Sequence, residues 1–510
     1  MKFGFRNSII MNTVNIIIKS DYYAYITCDD IQLFNLVKKS FIRKIRKYNN
    51  YYCMYEEKQS SHFTLINNGS VIKIKAGLVD YLCRSFDSRN IKYLIQDNER
   101  YKTNLTDKDI ISQLSNDVTL KYYQKEAVTE AIRNSFCTIQ LPTGTGKTEV
   151  AASIIRTYLR KNFTRSVIYV VPTIKLQKEA EERFEKYSIN CNIKLPIQRN
   201  KVNILTYACL VRSKIDYKDR DCIGCLIFDE CHHLKASKSS KIVHNYKKLN
   251  MCIGLSATVT TDADKKYYLN SLSDEDFNVF GSTGKLVYFK PIEETIDENF
   301  VTPIKIQVLS NPENIYLEDY EISDWHILKN KVLMSENRAN LVAEYTKYII
   351  NANNLNTVCL LIPEVKWSQQ YMLKLAEKIS DARLILMYGQ DKYDEIIDGK
   401  LVHLNNKEKQ KAYSDIKNPQ IKTVFSATSF MYEGIDITNM QALINVYGGR
   451  STTRVKQQAG RVMRLFKDKQ VAYIHEIQDN QPALYSQLKA RLNIYNKEYN
   501  AEIKKADFKL

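Results

Sequence analysis

Short apolar runs bounded by turn residues recur through most of the chain, with amphipathic stretches between them. One series is Cys137–Leu141, Ser166–Val171, Val202–Tyr207, Cys225–Phe228 and Met251–Leu255. A second is Thr357–Ile362, Arg383–Met387, Lys422–Phe425, Ala442–Val446 and Val471–Ile474. Runs that do not alternate read as strands buried on both faces, the mark of parallel sheets flanked by helices. Thr148–Leu159, Leu176–Lys186 and Ala339–Ile350 have helical spacing and fill gaps between the runs. The βαβ cadence predicts an α/β chain with two tandem doubly wound parallel-sheet domains.

Residues 1–115 lack that cadence, are rich in Tyr, Asn and Lys, and predict a small α+β accessory domain of their own. The first parallel-sheet domain is then expected over 116–290, a connection with a strand-like run at Val301–Leu309 over 291–335, and the second domain over 336–510. The segment from Leu484 to Leu510 is expected to be a basic helical tail.

Composition narrows the classes. With 510 residues, of which 44% are hydrophobic and 26% charged, the chain can build several cores and is not a disordered polymer. Lys plus Arg number 75 against 57 Asp plus Glu, and the resulting +18 points to a polyanionic partner. No stretch approaches the ~20 unbroken apolar residues of a membrane helix. The 11 cysteines sit mostly singly inside apolar runs, as reduced thiols do. A cytoplasmic chain is therefore expected. Met11 is a second candidate start, leaving the first ten residues open. Cys222 and Cys225 have zinc-ligand spacing, but no second such pair exists, so both are read as strand-edge cysteines.

Glycine is scarce at 15 residues, so its placement is informative. Leu141-Pro142-Thr143-Gly144-Thr145-Gly146-Lys147-Thr148 follows a predicted strand and opens a predicted helix. In such a loop, inward backbone N–H groups and the positive helix end cradle phosphates. Lys147 then reaches the β- and γ-phosphates, and the Thr148 hydroxyl binds Mg²⁺. Leu141 stands where the usual pattern has its first glycine. Farther on, the apolar run ends in Asp229-Glu230-Cys231-His232. Carboxylates at the end of a buried strand are costly unless something cationic answers them. Asp229 is expected to hold Mg²⁺ through water and Glu230 to polarise an attacking water. Gln457, Gly460, Arg461 and Arg464 are spaced as one face of a helix, and two guanidiniums with an amide suit a triphosphate.

Together these segments resemble the superfamily 2 helicases and translocases, with motifs matched over residues 120–465. The resemblance implies two RecA-like domains with ATP bound between them. It makes Gln124 the adenine-reading residue of a Q-type motif, and Pro142 to Thr148 the phosphate loop. Pro172 and Thr173, and then Thr206, match motifs that touch the nucleic-acid backbone. Asp229 to His232 matches a DExH-type motif. Ser256-Ala257-Thr258 matches the motif that, with His232, couples nucleotide state to domain movement. Thr428 and then Glu433-Gly434-Ile435-Asp436 match the next motif, with Thr428 toward nucleic acid and Glu433, Gly434 and Asp436 toward nucleotide. Gln457, Arg461 and Arg464 match the arginine motif. Gln457 and the Glu-Gly-Ile-Asp sequence depart from the DEAD-box pattern toward the XPB-like, RecG-like and phage UvsW-type DNA enzymes. That subclass implies unwinding and branch migration of forked or four-way DNA in phage replication and recombination, within the host cytoplasm.

Lys38, Lys39, Arg43, Lys44, Arg46 and Lys47 interleave with apolar residues and precede Tyr51, Tyr52 and Tyr55. Such a segment can neutralise phosphates and stack on bases, or can be an amphipathic helix with a solvated basic face. Two rival functions stay open at this point. One is a duplex translocase or RNA remodeller that separates no DNA strands. The other is a non-enzymatic ATP-dependent scaffold, against which stand the intact Lys147, Glu230 and Arg464.

Overall fold

The computed structural model describes residues 13–20, 22–49, 54–97, 104–162, 165–212, 215–259, 268–313, 315–318, 325–388, 392–428 and 437–508, without the side chains of 46–49, 54, 55 and 217. Two compact units emerge: Met1–Leu141 with Gly146–Lys290, and Pro291–Leu510 with Pro142–Thr145.

The first unit begins with β1 (Val14–Ile18), β2 (Tyr23–Thr27), α1 (Ile31–Ser40), β3 (Ile42–Asn49), β4 (Met54–Ser61), β5 (Phe63–Ile66), β6 (Val71–Lys75), α2 (Val79–Asp87) and β7 (Tyr93–Gln96). Five of the strands form a sheet in the order β5-β6-β2-β1-β7, while β3 and β4 pair only with each other. Alternate residues of β1, β2 and β6 point inward and share a core with Phe34 and Val37 of α1 and Leu82 and Phe86 of α2. The sequence pattern sets residues 1–115 apart, but this core runs on without a break into the following parallel sheet. At Gly77 the backbones close to a distance no side chain tolerates: a Cβ there would lie 2.1 Å from the Phe280 carbonyl oxygen.

The short pair β8 (Gln113–Ser115) and β9 (Val118–Thr119) leads into α3 (Tyr122–Asn134). Then come β10 (Phe136–Gln140), α4 (Lys147–Lys161), β11 (Ser166–Val171), α5 (Ile174–Lys186), β12 (Cys191–Asn192), β13 (Val202–Thr206) and α6 (Tyr207–Arg212). The unit closes with β14 (Ile223–Asp229), β15 (Met251–Ser256), α7 (Asp274–Thr283) and β16 (Leu286–Phe289). Their sheet is ordered β12-β13-β11-β14-β15-β10-β16, and every adjacent pair is parallel. The apolar runs are its strands because β11, β15 and nearly all of β14 are fully buried.

The second unit comprises β17 (Ile304–Ser310), α8 (Glu336–Ala352), β18 (Thr357–Leu361), β19 (Arg383–Tyr388), β20 (Lys392–Ile397), β21 (Lys400–His403), β22 (Thr423–Ala427), β23 (Ala442–Asn445), α9 (Thr452–Val462), β24 (Ala472–Gln478), α10 (Pro482–Tyr499) and β25 (Glu502–Lys505), among other helices. Its nine strands run β21-β20-β19-β22-β18-β23-β24-β17-β25. The pairs are parallel except at the hairpins joining β19, β20 and β21. Hydrophobic clusters pack against both faces. Two expectations are corrected here. The strand-like run read as part of a connection is β17, which pairs with β24 and β25 and so belongs to the second sheet. The segment read as a helical tail leaves the helix at Asn500, whose φ of 45° turns the chain into β25. No helix among the described residues is long and apolar enough to cross a membrane.

Candidate active site

The phosphate loop leaves β10 at its C-terminal end, where the Leu141 N–H donates to the Ser256 carbonyl of neighbouring β15 (3.1 Å). Gly144 and Gly146 have φ of 86° and 85°, the left-handed region that favours glycine. Gly146 is also the N-cap of α4. A Cβ on it would lie 2.3 Å from Gln124 Nε2 and 2.8 Å from Glu149 Oε2. Gln124 is thus buried against the loop, its Oε1 accepting the Lys121 N–H (2.8 Å) at the start of α3. Thr145 is buried and its hydroxyl donates to the Pro142 carbonyl (2.7 Å), bracing the turn. Lys147 and Thr148 occupy the first turn of α4, where N–H groups and the helix dipole favour anions.

β14 brings the acidic pair to the same end of the sheet. Glu230 has φ of 46°, a strained conformation for a side-chain-bearing residue, and sits directly after the buried strand. Its Oε1 lies 3.4 Å from Lys147 Nζ. Its Oε2 accepts from the Ser256 hydroxyl (3.1 Å) and lies 3.3 Å from His232 Nδ1. His232 Nδ1 is also 3.0 Å from Ser256 Oγ, which accepts the Thr258 N–H at 3.1 Å. One hydroxyl therefore ties the end of β15, the acidic motif and the Ser256-Ala257-Thr258 turn together. Asp229 Oδ1 accepts the Glu230 N–H (3.0 Å), and the Tyr207 hydroxyl donates to the Asp229 carbonyl (2.9 Å). Tyr207 is a participant that the sequence reading did not single out; its only signal was its place directly after Thr206.

The two carboxylates titrate in opposite directions. Burial, and then the charge of Glu230, push Asp229 up to about 6. Burial also opposes ionisation of Glu230, but the Lys147 ammonium and then His232 outweigh it and hold that carboxyl below the usual range. One ammonium thus answers two adjacent carboxylates. An all-oxygen set of Asp229 and the Thr148 hydroxyl fits Mg²⁺, which keeps water and substrate phosphates as its other ligands. Asp229 and Thr148 would hold the ion, which would supply charge neutralisation along the phosphates.

Thr206 ends β13, and Thr173 lies two residues past the end of the neighbouring parallel β11. Thr173 caps α5 through the Leu176 N–H (3.3 Å), and Thr206 accepts the Cys209 N–H (3.1 Å) in the first turn of α6. Pro172 lies beside Thr173 on the same loop. In the second unit, Thr428 is buried just past β22. Glu433, Gly434 and Asp436 lie outside the described residues. Gln457 and Arg461 lie on α9, but the helix ends at Val462, so Arg464 stands beyond the C-cap rather than on the expected helix face.

The basic N-terminal segment divides differently from the expected single stretch. Lys38 and Lys39 close α1, where cations suit the helix C-terminus. The buried Phe41 then turns the chain into β3. Arg43 is not left for phosphates. Its guanidinium donates to the carbonyls of Leu272 (2.9 Å), Leu269 (2.5 Å), Ser40 (3.0 Å) and Ile42 (2.8 Å), and lies 4.4 Å from the Phe277 ring centroid. Lys44 is exposed on β3. The side chains of Arg46, Lys47 and Tyr55, with Tyr51 and Tyr52 entire, lie outside the described residues.

Comparison with known proteins bears on both units. Residues 117–261 match the family described as type III restriction enzyme, res subunit, and residues 342–466 match the helicase conserved C-terminal domain. The chain is 22% identical over 439 residues to the ATP-dependent DNA helicase uvsW of Enterobacteria phage T4, covering 79% of each chain. It is 26% identical over 430 residues to the DNA 3'-5' translocase XPB2 of Sulfurisphaera tokodaii, covering 77% of this chain and 90% of that one. Across the curated relatives, the matched region spans from 64% to 90% of the relative's length. A fragment of a type I restriction enzyme HsdR subunit from Vibrio vulnificus shares the fold at TM-score 0.54 and 15% identity, over 95% of this chain and 79% of that one. These matches support an ATP-hydrolysing helicase of superfamily 2, built on the two conserved helicase domains and similar to UvsW and XPB2.

Proposed function

We propose that the protein is an ATP-driven DNA helicase that works at branched DNA, unwinding forks and migrating four-way junctions during phage replication and recombination. The observation that carries the reading is the convergence of Lys147, Glu230, His232 and Ser256 at the mouth of the glycine loop. Support for DNA as the track comes from the +18 charge and from relatives named as a DNA helicase and a DNA translocase.

Pro142 to Thr148 hold the triphosphate, with Lys147 on its β- and γ-oxygens and Gln124 toward the adenine. Thr148 and Asp229 would hold Mg²⁺, which would supply charge neutralisation at the phosphates. Glu230, kept ionised by Lys147 and His232, accepts a hydrogen bond from the water that attacks the γ-phosphorus. As the water oxygen bonds to the γ-phosphorus, its proton passes to Glu230 and the bond from phosphorus to the bridging oxygen breaks, releasing ADP and phosphate. Gln457, Arg461 and Arg464 supply the charge that answers the transferring phosphoryl group, a contribution worth about 10³–10⁵ in rate where a single arginine does it. Loss of the γ-phosphate reaches Ser256, Ala257 and Thr258 through the Glu230–Ser256–His232 contacts. Pro172, Thr173, Thr206 and Thr428 carry the strand backbone, and alternation of their grip between nucleotide states moves the protein along it.

The relative named as a translocase favours a second reading, movement along duplex DNA without strand separation. Turnover measured without polynucleotide, with single-stranded DNA, with a four-way junction and with RNA, alongside junction unwinding, separates the two. Branched DNA is expected to stimulate turnover most and to be unwound. Stimulation without unwinding favours the translocase, and equal stimulation by RNA contradicts the DNA assignment.

A further inference from the structure

The helix carrying Gln457 and Arg461 is approached through Tyr447-Gly448-Gly449-Arg450-Ser451, a loop outside any helix or strand. Gly449 has φ of 100°, and the two adjacent glycines give the backbone freedom that a helix bearing phosphate ligands should not inherit. The restraint comes from farther along the chain. Gln487 Oε1 on α10 accepts the Gly449 N–H at 2.6 Å, and Arg491 Nη1 donates to the Gly449 carbonyl at 2.7 Å. Both backbone groups of one glycine are thereby claimed by two side chains one helical turn apart. The fit is close: a Cβ on Gly448 would come within 2.3 Å of Gln487 Oε1.

Arg491 is itself fixed. It is 3% exposed and donates through Nε (2.9 Å) and Nη2 (2.7 Å) to Oε2 of the fully buried Glu476 on β24. The other oxygen of Glu476 accepts the Tyr495 hydroxyl (2.9 Å) and lies 3.2 Å from Asn445 Nδ2. The helix body is tied as well: Tyr499 OH donates to the Lys456 carbonyl (3.3 Å), and Lys456 pairs with Glu498 (2.6 Å). At its far end Lys469 Nζ donates to the carbonyls of Val462 (2.9 Å), Thr438 (3.0 Å) and Met440 (3.2 Å). One amino group therefore joins the last residue of α9 to the chain that leads into β23. Lys469, Glu476, Gln487, Arg491, Glu498 and Tyr499 all lie beyond residue 466, where the match to the helicase C-terminal domain ends.

We propose that Gln487 and Arg491 at one end of α9, and Lys469 at the other, are positioning residues that fix where Arg461 and Arg464 stand during nucleotide hydrolysis. The inference rests on the proposed role of those arginines. The physical ground is that a fraction of an ångström at a charge meant for a transition state costs rate, while binding of the ground-state nucleotide tolerates it. Removing Arg491 would strand Glu476 in the core and risk the fold, so Gln487, which is only half-buried, is the informative position.

The test measures DNA-stimulated ATP turnover, KM for ATP and thermal melting of the full chain in five forms: wild type, Gln487→Ala, Gln487→Glu, Arg464→Ala and the Gln487→Ala/Arg464→Ala double variant. Gln487→Ala is expected to lower kcat about 10- to 10²-fold with KM and melting unchanged. Gln487→Glu, which keeps an acceptor for the Gly449 N–H, is expected to restore turnover. Gln487→Ala should cost less in the Arg464→Ala background than in the wild type, since part of its effect runs through that arginine. Equal fractional losses in both backgrounds, or a loss of kcat that follows a loss of melting temperature, would overturn the proposal. If Arg464→Ala is crippled while Gln487→Ala matches the wild type, the inference alone fails. If Arg464→Ala turns over at the wild-type rate, the reading of Arg464 fails and carries the inference with it.

Discussion

The two units bury charge in opposite ways. In the second, Arg338 is 2% exposed and meets Asp479 through two bonds of 2.8 and 2.9 Å, with Nη1 shared between Tyr371 OH and the Val446 carbonyl. Asn311 completes Asp479 at 2.9 Å. Burial works against the Arg338 charge, but Asp479 more than repays it and raises the pKa. In the first unit Asp229 and Glu230 are adjacent, share one ammonium, and are pushed apart in pKa, with Glu230 in a left-handed conformation. The pair around Arg338 is complete by itself and fixes structure. The pair around Lys147 sets two adjacent carboxylates against one ammonium. Burial and charge alone do not mark a functional site; what marks it is charge that the protein leaves without full compensation.

The largest expected effect tests the unbalanced side. Lys147→Ala should lower ATP turnover by about 10²–10³-fold or more while DNA binding persists, read by steady-state hydrolysis and a binding titration. Hydrolysis at the wild-type rate would mean that the loop is misread.

The balanced side comes next. Arg338→Ala should destabilise the second unit by about 3–5 kcal/mol in chemical denaturation, because Asp479 is then buried without a partner. Arg338→Met with Asp479→Leu should cost much less, since no ion is left stranded.

Asp229→Asn should separate function from stability. Turnover should fall, yet nucleotide-free protein near neutral pH should melt higher than the wild type. The folded pKa of Asp229 is raised, so the folded state holds its proton more firmly. The stability this contributes is present below the unfolded carboxylate value and lost as pH rises through about 6. The asparagine variant should lack that slope.

The smallest effect separates two arms of β3. Lys44→Ala should leave melting unchanged and reduce the salt dependence of DNA binding by about one ion. Arg43→Ala should lower melting and leave the salt slope alone, because its donors already face carbonyls.

Most strands of both parallel sheets were legible in sequence because burial on both faces leaves unbroken apolar runs such as Ser166–Val171. β25 was not, since all four of its residues are exposed, and β17 was legible as the strand-like run Val301–Leu309 but not as a member of the second sheet. The glycine loop and acidic pair were legible because few residue types meet their chemistry at that spacing. Arg43 was misassigned because a basic side chain reads alike in sequence whether it faces water or a ring of carbonyls. Gln487 and Arg491 left no signal, since the bonds they make run to backbone atoms of a loop 38 and 42 residues away.

The account is tested most directly by the response of melting to Mg²⁺ with a non-hydrolysable ATP analogue, in the wild type and in Lys147→Ala. If the charges around Asp229 and Glu230 are unbalanced so that a metal nucleotide can complete them, the ligand raises wild-type melting by several degrees and leaves Lys147→Ala unmoved. An unchanged wild type, or an equal rise in both proteins, would contradict it.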